Sequence, residues 1–198
     1  MRRHFDGGTS VRIHKRLLGG IAVLAASVVF SATASAQVLS GTGNANLTAT
    51  LTQGLTVSVT GGSSVNFALT QNAATNGDVP TIIRTAWNLN PGQVGAVTLY
   101  GYFNVPTQAL TDGAGSDIPS SWVMGQMATG TPTSYTAFTQ TNPVGPAGGS
   151  LALFTTNITG INKVSSRTDN LNLRIDLTGQ TLGTGTYTGI LRIQARAL

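Results

Sequence analysis

Between Asn46 and Ala197 the apolar residues of this chain recur, stretch after stretch, at every second position. That is the period of a β-strand, whose successive side chains point to opposite faces. In Asn46–Thr52, Leu47, Ala49 and Leu51 share one face, with Thr48, Thr50 and Thr52 on the other. Gly54 breaks the run; Leu55, Val57 and Val59 resume it as far as Gly61-Gly62, and Val65, Phe67 and Leu69 form a third segment. Ile83, Thr85, Trp87 and Leu89 alternate up to the breaker Asn90-Pro91-Gly92. Sharing a face with Ile83 and Leu89, Trp87 reads as a core residue. The stretch Ala96 to Phe103 carries Val97, Leu99 and Phe103 on one face and Tyr100 and Tyr102 on the other. A central strand has that pattern, as does one whose second face meets a partner.

The end of the chain is as regular. Leu151 to Ile158 reads as a strand, and Leu171, Leu173, Ile175 and Leu177 face one way while Asn170, Asn172, Arg174 and Asp176 face the other. After a loop with Gly179, Gly183 and Gly185, the last alternation runs Tyr187, Gly189, Leu191, Ile193, Ala195 and Ala197. Only residues 106–149 lack a clear period; Pro132, Pro143 and Pro146 punctuate them, and Ser120 to Met127 is the one strand expected there. No Glu occurs, and a single Lys follows residue 36, so exposed helical faces have almost nothing to be made from. About eight or nine short strands with Gly-rich turns and no helix predict an all-β, antiparallel sandwich.

The first 36 residues have a different grammar. Arg2, Arg3, Arg12, Lys15 and Arg16 precede an apolar run, Leu17 to Phe30, and then Ala34-Ser35-Ala36. This is the order of a secretory signal, with cleavage specified by Ala34 and Ala36. The expected organisation is a signal at 1–36, a leader with a first strand at 37–53, and a sandwich at 54–198 with an irregular excursion at 106–149. At about 15 residues the apolar run is short for a spanning helix, which needs about 20, so no stable transmembrane segment is expected after its removal. The expected destination is extracellular or the cell surface, with the periplasm crossed in transit.

Removing the signal removes both His and most of the positive charge. Six basic residues remain against five Asp, a net charge of +1. They are scattered, whereas phosphate recognition needs them clustered, so nucleic acid is not an expected partner. With no His after residue 36 and no Cys anywhere, neither a Ser-His-Asp or Cys-His arrangement nor the usual zinc or copper site can be built. The five Asp fall in turns, a loop and the flanks of one strand. The expectation is therefore a protein that is not an enzyme and needs no cofactor. Asp112 and Asp117, bracketing Gly113-Ala114-Gly115-Ser116, supply oxygens of the kind a weak calcium site uses. The same residues also make an ordinary tight turn. Tyr100, Tyr102 and Trp122 are the candidates for glycan or partner contacts, set against a second packed layer as the alternative.

Gly185-Thr186-Tyr187-Thr188-Gly189-Ile190-Leu191-Arg192-Ile193, following a Leu-x-Leu-x-Ile strand and a Gly-rich turn, resembles the closing hairpin of secreted bacterial immunoglobulin-like β-sandwich subunits, the pilin-like and spore coat protein U type. The resemblance spans about 30 residues. It implies an immunoglobulin-like sandwich and a role in a surface assembly. The coat protein U type carries disulfides, for which this chain has no Cys.

Most sandwich proteins guard their edge strands with Lys, Pro or inward charges. Here strand after strand is faced with Thr, Asn and Ser instead. Leu47, Ala49 and Leu51 have the alternation by which an inserting strand fills a neighbour's pockets; the ordinary place of a terminal strand is its own sheet. The sequence therefore predicts an exported structural protein, a pilin-like or coat-like subunit of a cell-surface or extracellular assembly that associates with itself or with other surface subunits by β-strand addition. The rival readings are a secreted carbohydrate-binding or adhesin module and, third, a small outer-membrane β-barrel.

Overall fold

The computed structural model describes residues 45–198. The signal segment, its cleavage residues Ala34 and Ala36, and the leader as far as residue 44 lie outside the described residues. A compact unit runs from Thr48 to Leu198.

The described chain is all-β. Its strands are β1 (Gly54–Gly61), β2 (Ala74–Asn76), β3 (Thr81–Asn88), β4 (Ala96–Tyr102), β5 (Leu110–Thr111), β6 (Asp117–Ile118), β7 (Val123–Met127), β8 (Thr136–Ala137), β9 (Ser150–Asn157), β10 (Val164–Asp176) and β11 (Arg192–Ala197). Two single 3-10 turns, Pro106–Gln108 and Ser120–Trp122, are the helical elements among the described residues. Every strand pair is antiparallel. One sheet has the order β1-β3-β10-β7-β8, with β2 also paired to β10. The second has the order β11-β4-β9, and β5 with β6 forms a separate hairpin. Among the described residues neither larger sheet closes on itself, so there is no closed barrel.

The long strand β10 organises the first sheet, because its two halves serve different neighbours. Residues 164–171 pair with β3, while residues 171–175 pair with β7 on one side and residues 174–176 with β2 on the other. Leu171, Leu173, Ile175 and Leu177 are buried in the alternation the sequence prescribes. Opposite them, β4 is central in the second sheet, which explains its bulky residues on both faces. Val97 and Leu99 are fully buried, as are Leu151 and Leu153 of β9. Both sheets contribute to a single apolar cluster that also holds Phe103, Ile118, Val123 and Phe138. Trp87 belongs to it and satisfies its indole by donating from Nε1 to the Asn162 carbonyl at 2.8 Å.

Three alternations do not become strands. Residues 45–53 are exposed and in no strand, so the expected first strand is not part of a sheet of its own chain. Residues 63–70 have no strand assignment and residues 186–191 only the single bridge of Thr188 to Thr111, and the last strand begins at Arg192 instead of Tyr187. In residues 120–127 the strand begins only at Val123, because Ser120–Trp122 turns first.

Candidate functional site

The long stretch without period reaches the core through Ile118, Val123, Met127 and the ring of Phe138. Phe138 is fully buried, meets Phe103 edge-on at 5.3 Å between centroids, and seats on Gly101 and Gly125. A Cβ on either glycine would come within 2.9 Å and 3.2 Å of that ring. The stretch then packs onto the second sheet, with Val144 buried and Gly145 lying against the Tyr102 side chain. Polar contacts tie it down: Ser150 Oγ donates to the Gln140 carbonyl at 2.8 Å, and the Ala152 amide donates to Gln140 Oε1 at 2.9 Å.

This layer decides where the candidate ring residues lie. Tyr100 is 6% exposed and so is closed to a ligand. Tyr102 is half-buried, its hydroxyl donating to Gln194 Oε1 at 3.4 Å, and Trp122 is half-buried against the core. The three rings therefore do not make an open face on which a sugar could stack.

Asp112 and Asp117 sit in the β5–β6 hairpin. The Asp112 carboxylate accepts the Ala114 and Ser116 amides at 2.8 and 2.9 Å, and those two bonds hold its pKa below the ordinary carboxylate value. Asp117 accepts from Gln108 Nε2 at 2.9 Å. Asp112 is thus committed to closing the turn. No group of three or more His, Cys, Asp or Glu gathers among the described residues.

What the structure does leave open is one side of the molecule. Beyond the end of β1, residues 63–69 run beside 77–81, where Asn66 and Asp78 clamp each other. Asp78 accepts the Asn66 amide and Nδ2, both at 2.9 Å, and its own amide donates to the Asn66 carbonyl at 3.0 Å. On the far side, residues 186–191 extend β11 past β4 and meet the β5 hairpin, where Thr188 and Thr111 exchange two backbone hydrogen bonds at 2.9 Å. Among the described residues no backbone hydrogen bond joins 63–69 to 186–191. Between them lies a cavity of about 260 Å³ walled by Val65, Phe67, Phe103, Leu110, Leu191 and Ile193. It adjoins a more polar depression of about 570 Å³ bounded by Asn66, Tyr187 and Thr188.

The candidate inserting residues face outward. Leu47 is 94% exposed and Leu51 80% exposed, with Ala49 exposed between them. Sequence reasoning found this segment and missed the opening. The signal was present in Val65-Phe67-Leu69 and Tyr187-Gly189-Leu191, two strand patterns that the fold does not join by any backbone hydrogen bond among the described residues. Compared with known proteins, the chain matches no family model, no curated protein and no solved structure.

Proposed function

We propose that this chain is an exported, non-enzymatic structural protein, an immunoglobulin-like sandwich that serves as a subunit of a cell-surface or extracellular assembly and polymerises by β-strand addition. The observation that carries the reading is Asn46–Thr52, an uncharged strand pattern whose Leu47 and Leu51 are held in water by their own chain. Two exposed leucines at strand spacing are costly unless something covers them, since burying each is worth about 1.5–3 kcal/mol. Strand addition supplies the cover and pairs the backbone as well. Because the strand and the edge that receives it are different surfaces, the contact is head-to-tail and propagates.

The absence of His, Cys and Glu after residue 36 fits a protein built to persist outside the cell. A glycan-binding role is disfavoured by the burial of Tyr100 and the half-burial of Tyr102 and Trp122. The test is negative-stain microscopy with size-exclusion chromatography on residues 37–198, beside a chain that starts at Leu55. Filaments or ladders from the longer chain that vanish on truncation, with the shorter chain still folded, are the expected result. A monomer from the longer chain, with unfolding on truncation, would refute the reading and return the first strand to its own domain.

A further inference from the structure

Polymerisation by strand addition requires a receiving site. We propose that it is the opening between residues 63–69 and 186–191, and that its occupant is Asn46–Thr52 of a second copy of this chain; this deepens the assembly reading and rests on it.

Burial gives the first argument. Deeper in the two sheets the core is sealed, with Ile83, Leu99, Leu153 and Leu171 all fully buried. On the lips themselves the inward apolar side chains are only half-buried: Val65, Phe67 and Leu69 on one side, Tyr187 and Leu191 on the other. Two facing rows of half-covered apolar side chains are what remains when the row between them is missing. The backbone agrees. The hydrogen bonds of Asn66 and Thr188 run to Asp78 and Thr111, each within its own wall, so the edges toward the opening are free to pair.

Two glycines keep the opening clear. At Gly62, with φ +59°, an added Cβ would come within 2.0 Å of the Pro80 carbonyl oxygen. At Gly189 it would come within 2.0 Å of the Ala109 carbonyl oxygen. Each lip is therefore drawn flat against its own wall, by a backbone approach that only glycine permits.

Chemistry and reach name the occupant. The cavity and the depression are lined without a charged residue, and residues 37–53 contain none. Nothing charged has to be stripped of water when the two meet. Leu47, Ala49 and Leu51 repeat at the strand period of the pockets they would fill. In their own chain they do not sit there, since Leu47 is 94% and Leu51 80% exposed. Folded back along β1, Leu47, seven residues from Gly54, would reach about 23 Å at strand rise, far enough for Val59 at the near end of the cavity but not for Phe67 or Leu69. A second copy is free of that tether and can set all three side chains along 63–69.

The experiment uses residues 37–198 carrying Leu47→Asp and Leu51→Asp, two exposed positions outside the sheets, so that this chain can receive a strand but not supply one. To it is added a synthetic peptide of residues 45–53. The peptide is expected to raise Tm by about 5 °C or more at saturation. It is also expected to slow amide hydrogen exchange about tenfold or more at Phe67–Leu69 and Gly189–Leu191 together. The same peptide with both Asp substitutions is expected to do neither. A native peptide that leaves both lips unprotected, or protects another edge such as β9, overturns the site even if the unsubstituted chain forms filaments, and the assembly reading then stands without it. Lips already protected in an unsubstituted monomer would make the occupant the chain's own segment. An unsubstituted chain that never associates removes the assembly reading and this inference with it.

Discussion

Arg167 and Asp169 are two positions apart on β10, so both point inward, and the Asp169 carboxylate is 1% exposed. The guanidinium donates from Nε to Asp169 Oδ2 at 2.7 Å and pairs through Nη2 with Oδ1, while Thr129 Oγ1 donates to Oδ1 at 3.3 Å. It also lies 4.0 Å over the ring of Phe154, a residue of β9 in the other sheet. The pair therefore bolts one sheet to the other through a charge-assisted and a cation-π contact. Breaking a fully buried pair costs about 3–5 kcal/mol; because the Arg167 side chain keeps 28% of its exposure, Asp169→Asn is expected to cost less, about 2–3 kcal/mol. In a domain of this size that is a fall in Tm of about 5–10 °C, measurable by circular dichroism. A second residue-scale prediction concerns acid. Asp78 is held below its ordinary pKa of 3.8 chiefly by the Asn66 side-chain hydrogen bond and then by the Asn66 amide. A lowered native pKa means a contribution to stability that is complete above the unfolded value and lost as pH falls through the native one. Thermal melts between about pH 6 and pH 2.5 are expected to show Tm falling below about pH 4, with Asp78→Asn removing part of that fall. Asp112 and Asp176 are shifted in the same direction, by the Ala114 and Ser116 amides and by Thr178, and account for some of the remainder.

Strands β3, β4 and β10 could be read from the sequence because each has partners on both edges, so its alternation and its ladder coincide. At 65–69 and 187–191 the alternation is as good and the ladder is absent, because period two reports which face is buried and says nothing about whether an edge has a neighbour. Apart from the strand read at 120–127, residues 106–149 were illegible for the opposite reason. They are ordered by Phe138 inserting into the core and by contacts such as Gln140 to Ser150 and Ala152, none of which leaves a period. Strand β7, within that stretch, shows how closely the insertion is fitted. A Cβ on Gly125 would lie 3.0 Å from Leu151 Cδ2, 3.1 Å from Leu171 Cδ1 and 3.2 Å from Phe138 Cε2. Those three side chains belong to β9, β10 and the inserted loop, so none can yield without disturbing another element. Gly125→Ala, an ordinary gain in β propensity elsewhere, is expected here to destabilise by the overpacking cost of about 1–3 kcal/mol. A denaturant midpoint that falls while the m-value holds would check it.

At the scale of the whole molecule, residues 37–198 carry a net charge of +1, spread over six basic and five acidic side chains. The segment proposed to insert and the opening proposed to receive it contain no charge. Long-range electrostatic steering is screened beyond about 10 Å at 0.1 M salt, so association guided by charge slows steeply as salt is raised. Association through Leu47, Ala49 and Leu51 has no such component, and its driving term, apolar burial, is strengthened by salts excluded from protein surfaces. Light scattering of residues 37–198 is therefore expected to show an assembly rate that changes by less than about threefold between 0.05 and 1 M sodium chloride. It is expected to rise in sodium sulfate. A rate that collapses with sodium chloride would mean that the scattered Arg and Asp side chains bring the subunits together. The contact surface would then have to be sought on a charged face such as the outer side of β10, where Arg174 and Asp176 lie.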